Sequence, residues 1–319
     1  MGSITYVVDG QLLELSSDET TVTCLADLPG PLSGPVTWSP AGDRVLLGSG
    51  TVLDTNGVRA TGFDAADTAV SWSYPTGKAL IAPDQADGEL TWHNSRDGND
   101  QLDVSFLART DVAVYHPAGK HIIAAGVGLD GVPGLYLASN RGANARAIAT
   151  LDDPTTSIRD IAVDSSGQFL YFVHDHGDMQ HIHYLSLQGL WLRDSVTSAS
   201  ALGALTFGVD PNSWLAYREG DCSGVVSTSV AYDYSGTYSR VGGPGLDGRS
   251  VSPVGWLDQN RLVVAVRDSG CEGPAEVWIS TPEGVSRQVL PTVEAVSVRT
   301  VLSAWGELPP DDIDAQAPG

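Results

Sequence analysis

Positive charge is scarce in this chain. Only 17 Lys and Arg stand against 39 Asp and Glu, for a net charge of -22, and Lys78 and Lys120 are the only lysines. Nucleic acid and anionic membranes are bound by neutralising phosphates with Lys and Arg, so this composition argues against both. It suits basic peptides, cations, or plain solubility. No apolar run reaches the roughly 18 residues that a membrane-spanning helix needs, which excludes direct membrane insertion by that route. Met1-Gly2-Ser3 has neither the basic segment nor the apolar core of a signal peptide. It reads as a remnant ahead of a trimmed domain, with any leader or anchor outside this chain. Nucleophile and phosphate motifs are missing as well. There is no Gly-x-Ser-x-Gly elbow, no Cys-x-x-Cys and no Gly-x-x-x-x-Gly-Lys-(Ser/Thr) loop. No catalytic residue and no organic cofactor is assigned on this basis.

What is present is a repeat. Val36-Thr37-Trp38-Ser39-Pro40-Ala41-Gly42-Asp43 leads into Arg44-Val45-Leu46-Leu47. Ser71-Trp72-Ser73-Tyr74-Pro75-Thr76-Gly77-Lys78 leads into Ala79-Leu80-Ile81-Ala82, and Ala113-Val114-Tyr115-His116-Pro117-Ala118-Gly119-Lys120 into His121-Ile122-Ile123-Ala124. Weaker copies stand at Ile161–Val173, Thr206–Tyr217 and Val254–Val266. Each copy is a strand, a tight turn and a second, apolar strand. Stretches such as Gly134-Leu135-Tyr136-Leu137-Ala138-Ser139 and Glu276-Val277-Trp278-Ile279-Ser280 then supply two more strands between Gly, Asn and Asp turns. A period of roughly 35 to 50 residues with four strands per unit matches one blade of a β-propeller.

The Trp-Ser-Pro-x-Gly-(Asp/Lys) turn, together with Leu135-Tyr136-Leu137-Ala138-Ser139-Asn140-Arg141-Gly142-Ala143-Asn144-Ala145-Arg146, resembles the WD40-like repeats of the TolB-type β-propellers. The resemblance runs over nearly the whole chain and is strongest in the first three units. Units five and six keep the shape without the lettering. It implies an all-β ring, typically extracytoplasmic, that works through protein contacts, and it leaves the partner open.

Six full units leave both ends to place. Residues 4–25 read as the last three strands of a blade without its first, and residues 295–305 offer a strand that would complete it. Pairing the N-terminal strands with the C-terminal one closes the ring and removes exposed edges. The expectation is therefore seven blades, with six as the alternative, because unit one has only Thr51 to Phe63 for its outer strands. One domain over 3–308 is expected, followed by a disordered tail or linker over 309–319, rich in Pro, Asp and small residues.

Two constellations stand out. Cys222 and Cys271 follow equivalent strands of units five and six, so their loops emerge on one face and the thiols can meet. A bridge there closes a loop of about 50 residues, worth up to about 4 kcal/mol, and implies an oxidising compartment. Cys24, within a predicted strand, reads as a buried free thiol. The stretch 174–183 holds four of the 7 histidines. If Gly177-Asp178 is a two-residue turn, His174 lies opposite His181, and His176 and His183 share their face. His174, His181 and His183 then form a candidate site for Zn, Ni or Cu. An ordinary blade hairpin with polar side chains toward water or a neighbour explains the same residues. Arg96-Asp97-Gly98-Asn99-Asp100 resembles part of a calcium loop but lacks the remaining ligands, and turn chemistry accounts for it. Trp38, Trp72 and Trp256, with Tyr115, share one first-strand position and read as packing between blades.

The function these features favour is a non-catalytic extracytoplasmic propeller, a monomeric ring, binding a protein or peptide as scaffold or sensor, with basic partners best matched to its charge. The alternatives are a propeller enzyme, lyase or hydrolase, and a metal or small-ligand sensor built on the histidine hairpin.

Overall fold

The computed structural model describes residues 2–300 except 29–31, 33, 49, 60–70, 74–78, 84–89, 95–97, 117–120, 140–143, 154, 165–167, 188, 191, 209–213, 232–237 and 282. The expected tail over 309–319 falls outside the described residues, as do Arg96 and Asp97 of the calcium-loop-like stretch; Trp191 and the side chain of Trp92, two tryptophans outside the shared first-strand position, do so too. The described residues contain no helix and form seven antiparallel sheets, six of four strands and one of three. The sheets are the blades of a β-propeller, numbered here as the sequence units.

Blade 1 contributes Val36–Trp38, Arg44–Leu47 and Thr51–Asp54. Blade 2 contributes Ser71–Trp72, Ala79–Pro83, Leu90–Asn94 and Gly98–Gln101, and blade 3 Leu107–Tyr115, His121–Gly128, Pro133–Ser139 and Arg146–Thr150. Blade 4 runs Ile158–Val163, Phe169–His176, Met179–Ser186 and Leu192–Ser198, and blade 5 Leu202–Phe207, Leu215–Glu219, Ser227–Ala231 and Tyr238–Arg240. Blade 6 runs Ser250–Trp256, Leu262–Arg267, Ala275–Ser280 and Ser286–Val293. Blade 7 joins the two ends of the chain, with Ala295–Arg299 paired to Ser3–Val8, then Gln11–Leu15 and Val22–Asp27.

First strands of neighbouring blades touch from blade 2 through 3, 4, 5 and 6 to Ala295–Arg299, which in turn touches Val36–Trp38 of blade 1. They line the centre, and the strands of each blade run outward from it. Cores therefore lie between blades, at six of the seven seams among the described residues: Leu135, Leu137, Leu170 and Phe172 between blades 3 and 4, for example, and Val7, Leu12, Trp38 and Val45 between 7 and 1. A strand buried on both faces has no polar side to alternate with. That is why second strands read as unbroken apolar runs such as Leu262-Val263-Val264-Ala265-Val266, all buried. The shared first-strand aromatics are buried in these seams: Trp38, Trp72, Tyr115 and Trp256. Trp38 donates its indole N–H to Thr5 of blade 7 at 3.0 Å and Trp256 donates to the carbonyl of Thr206 in blade 5 at 3.4 Å, so each tryptophan ties its blade to the preceding one.

The repeated turn has a local cause. In unit one the Ser39 N–H donates to the Arg44 carbonyl at 2.9 Å, Gly42 takes φ +63°, and the Ser39 hydroxyl accepts from the Arg44 N–H at 3.1 Å. Asp164 takes the place of Ser39 in unit four, accepting from the N–H groups of Gln168 and Phe169 at 3.0 Å each; in unit six that place falls to Leu257, and Asp258, one residue on, accepts from Asn260 and Arg261. A short side chain with an oxygen acceptor at or just after this position replaces the backbone partners a turn lacks.

In unit three that position is His116, whose N–H donates to the His121 carbonyl at 2.9 Å. His116 is buried, and burial, with the nearby His121 adding to it, pushes its pKa down to about 4. Below the ordinary histidine value of 6.5 the unfolded chain takes up a proton that the folded chain refuses. Stability from this group is therefore complete above about pH 6.5, is lost as the pH falls toward 4, and amounts to about 3 kcal/mol. Urea denaturation at pH 7.5 and 4.5 should show this loss, and His116→Gln should reduce the pH slope without abolishing it, since buried His174 and His183 are also held below the ordinary value. An unchanged pH slope in the variant would assign the loss elsewhere.

Cys24 corrects the sequence expectation: it is exposed. Its strand, Val22–Asp27, is the outermost of blade 7, where one face and one edge meet water.

Candidate metal centre and loop face

The histidine hairpin forms as its turn letters dictate. Gly177 takes φ +59°, the sign a type II′ turn needs at its first central position, and His176 pairs with Met179 across a two-residue turn. The resulting register sets His174 opposite His181 and Phe172 opposite His183. All lie on the sheet face that carries Leu170 and Phe172 into the core shared with blade 3.

The ligand atoms of His174, His181 and His183 fall within 4.8 Å of one another. His174 Nε2 stands 3.2 Å from His183 Nε2. His174 Nδ1 lies 2.9 Å from the Asp175 carbonyl, which can only accept, so Nδ1 carries the proton and Nε2 turns a lone pair inward in the neutral ring. Asp175 is itself held: Arg159 grips its carboxylate at 2.8 Å and Gln180 donates to it at 2.7 Å. Gln180 also accepts from the Leu202 N–H of blade 5 at 2.7 Å. Burial holds the His174 pKa below the ordinary value, and burial followed by the neighbouring His174 brings His183 to about 4. His183 Nδ1 is buried without a hydrogen-bond partner. His176, at the turn, is exposed, with its ring centroid 5.2 Å from that of His181.

A fourth residue joins them from the outer strand. Asp194 contacts His183 Nε2, and the same carboxylate oxygen lies 3.5 Å from His181 Nδ1. It reaches this face through a bulge. Ile182 pairs with Val196 but His183 pairs with Asp194, leaving Ser195 over. Without the extra residue Asp194 would oppose Tyr184 and point to the other face. The side chains of His181 and His183 are 16% and 13% exposed and that of Asp194 is 66% exposed, so the cluster opens to solvent on the Asp194 side.

The second constellation lies at the same end of the ring as the histidine turn, where the loops between second and third strands emerge. Cys222 and Cys271 are joined there by a disulfide, with Cα atoms 5.1 Å apart. The two loops also share a backbone hydrogen bond, Gly270 N–H to Gly224 carbonyl at 2.9 Å. Ser250 fastens the first loop to blade 6 by accepting from the Val226 N–H at 3.1 Å and donating to the Gly224 carbonyl at 3.0 Å. This end carries exposed acids at Asp130, Asp152, Asp178, Asp221, Asp268 and Glu272.

No protein-family model matches the chain. No curated protein matches it by sequence. Solved structures do. A putative TolB from Agrobacterium tumefaciens aligns over 93% of this chain and 97% of its own, with a TM-score of 0.53 and 10% identity. An oligogalacturonate lyase in complex with manganese aligns over 85% of this chain and 82% of its own, with a TM-score of 0.58 and 14% identity. A chain from a nidogen–laminin complex aligns over 95% of this chain and 100% of its own, with a TM-score of 0.51 and 11% identity. The fold is thus that of a β-propeller, similar to those of TolB and WD40 domains. Identities this low carry the fold alone, and an enzyme stands among the similar structures beside a protein from a complex, so the fold does not choose between catalysis and binding.

Proposed function

We propose that this propeller binds a protein or peptide partner outside the cytoplasm, as a scaffold or sensor, over the face that carries the disulfide. The observation that carries the reading is the Cys222–Cys271 bridge across the loops of two blades. Disulfides persist in oxidising compartments, and this one braces the loop end of the ring, where exposed residues converge. The acids around it, with a net charge of -22 behind them, favour a basic segment. Leu129 and Val225, 73% and 58% exposed in the loops of blades 3 and 5, offer apolar anchors on the same face. The ring acts as one monomeric domain over 3–308.

Titration with an Arg- and Leu-rich peptide, and with its Glu-substituted counterpart, tests this. Saturable binding of the basic peptide alone, weakening as salt rises and weakened further by Asp130→Asn/Asp221→Asn/Glu272→Gln, is the expected result. Equal affinity for both peptides, or binding indifferent to salt and to the variant, would remove the loop face from the account.

A further inference from the structure

We propose that His174, His181, His183 and Asp194 form a binding site for one divalent transition-metal ion that takes imidazole and carboxylate ligands, zinc being the first choice. The proposal stands apart from the peptide-binding reading and does not depend on it.

Distance is the first argument. Two nitrogens, each about 2.0–2.1 Å from a tetrahedral Zn²⁺, stand roughly 3.3 Å apart. His174 Nε2 and His183 Nε2 are 3.2 Å apart, and His181 Nδ1 and Asp194 Oδ1 are 3.5 Å apart. The first pair is also a poor hydrogen bond on proton grounds. His183 Nε2 has at most one proton, and it faces both the His174 nitrogen and the Asp194 oxygen. The Asp194 oxygen stands closer to His183 Nε2 than two ligands of one ion do, so the exposed Asp194 side chain would have to draw back to admit a cation, which would then attract all of these atoms.

Proton placement is the second. The Asp175 carbonyl already fixes His174 as the tautomer that presents Nε2. An imidazole whose other nitrogen donates to a carbonyl is the usual support of a metal ligand. With their protons on the ring nitrogens outside the site, His181 and His183 present lone pairs as His174 does, at the cost on His183 of a proton on the buried, unpartnered Nδ1; with Asp194 the donor set is three imidazoles and one carboxylate. That set suits zinc, nickel or copper rather than calcium.

The third argument comes from the repeat. The outer-strand bulge recurs at the same step in blade 3, between Leu135 and Tyr136, and in blade 6, between Val277 and Trp278. The positions of His174, His181, His183 and Asp194 are held by Gly126, Gly134, Tyr136 and Ala147 in blade 3. In blade 6 they are held by Val266, Glu276, Trp278 and Gln288, where Glu276 instead pairs with Arg249 at 2.8 Å. The bulged hairpin is thus built without imidazoles in other blades. An ordinary structural role asks for none, and blade 4 has all its site positions filled with metal ligands.

The test uses tag-free full chain, stripped with chelator and titrated by calorimetry with Zn²⁺, and by visible absorption with Co²⁺. One equivalent of Zn²⁺ and the intense visible bands of four-coordinate Co²⁺ are expected. His174→Ala/His181→Ala should abolish both. Because His174 is buried, loss of binding there is read beside Asp194→Asn, whose exposed side chain leaves the core alone. That variant should melt as the parent does in the absence of metal yet bind about 10-fold or more weakly. No binding by the parent, or binding unaffected by Asp194→Asn with octahedral Co²⁺ spectra, would overturn the site.

Discussion

A chain ending at Glu294 should lose its cooperative thermal transition. Ala295–Arg299 is the first strand of blade 7, in register from Val7↔Ala295 to Ser3↔Arg299, and it touches the first strands of blades 6 and 1. Deleting it leaves Ser3–Val8 as a bare edge and opens both neighbouring seams at once. Ile4 and Val7 are fully buried there, and exposing apolar side chains of that size costs about 1.5–3 kcal/mol each. Whole domains are stable by only about 5–15 kcal/mol. The seam is close-fitted as well. A Cβ on Gly255 would stand 2.9 Å from Val298 Cβ. Arg299 lies 4.7 Å over the Trp38 ring, donates to the Gly42 carbonyl at 2.8 Å and pairs with Glu14 at 2.9 Å. Calorimetry and light scattering on the truncated chain should show a broad, non-cooperative transition and association through the unpaired edge. A synthetic peptide of residues 294–300 should restore the sharp transition by strand addition. A chain ending at Leu302, which keeps the strand, is the control. An unchanged melt after truncation at Glu294 would mean the ring does not depend on this closure.

That closure was legible because each end of the sequence was deficient in a complementary way: three strands without a first at one end, one strand without a blade at the other. The unit turns were legible because their chemistry is local, an oxygen-bearing residue followed by a Gly or Asp a few positions on. Where the letter changes from Ser39 to Asp164 the same acceptor role persists, and in unit six it passes one residue on, to Asp258. The histidine hairpin could be read from its turn because a two-residue loop sets the register of everything above it. Asp194 could not. Its face depends on the single extra residue Ser195 in the outer strand, and no local signal distinguishes a bulged outer strand from a regular one. Cys24 fails for a related reason. The strand was already readable as the last of its blade, but burial was expected from the apolar character of the thiol, and position in the blade outweighs it because an outermost strand meets water.

Replacing Cys222 and Cys271 by alanine should lower stability by about 4 kcal/mol, the chain-entropy value for a bridge with a sequence separation of 49. With an unfolding entropy of roughly 2.1 cal/mol/K per residue, that is a fall of about 6 °C in Tm. The effect should come through the unfolded state. In the folded state the loops remain joined by the Gly270–Gly224 hydrogen bond and by the Ser250 hydroxyl, so the native geometry does not depend on the sulfurs. Removing the cross-link lets the denatured chain expand, and the denaturant m-value should therefore rise while the midpoint falls. A lost native contact would instead lower the midpoint at constant m. Thiol titration supplies the companion measurement. The parent should show one reactive thiol without denaturant, the exposed Cys24, and no more after denaturation. Three thiols in protein purified under oxidising conditions would mean the bridge does not form, and the extracytoplasmic reading would lose the observation on which it rests. One thiol with an unchanged m-value would keep the compartment and transfer the stabilising role from chain entropy to the packing of the two loops.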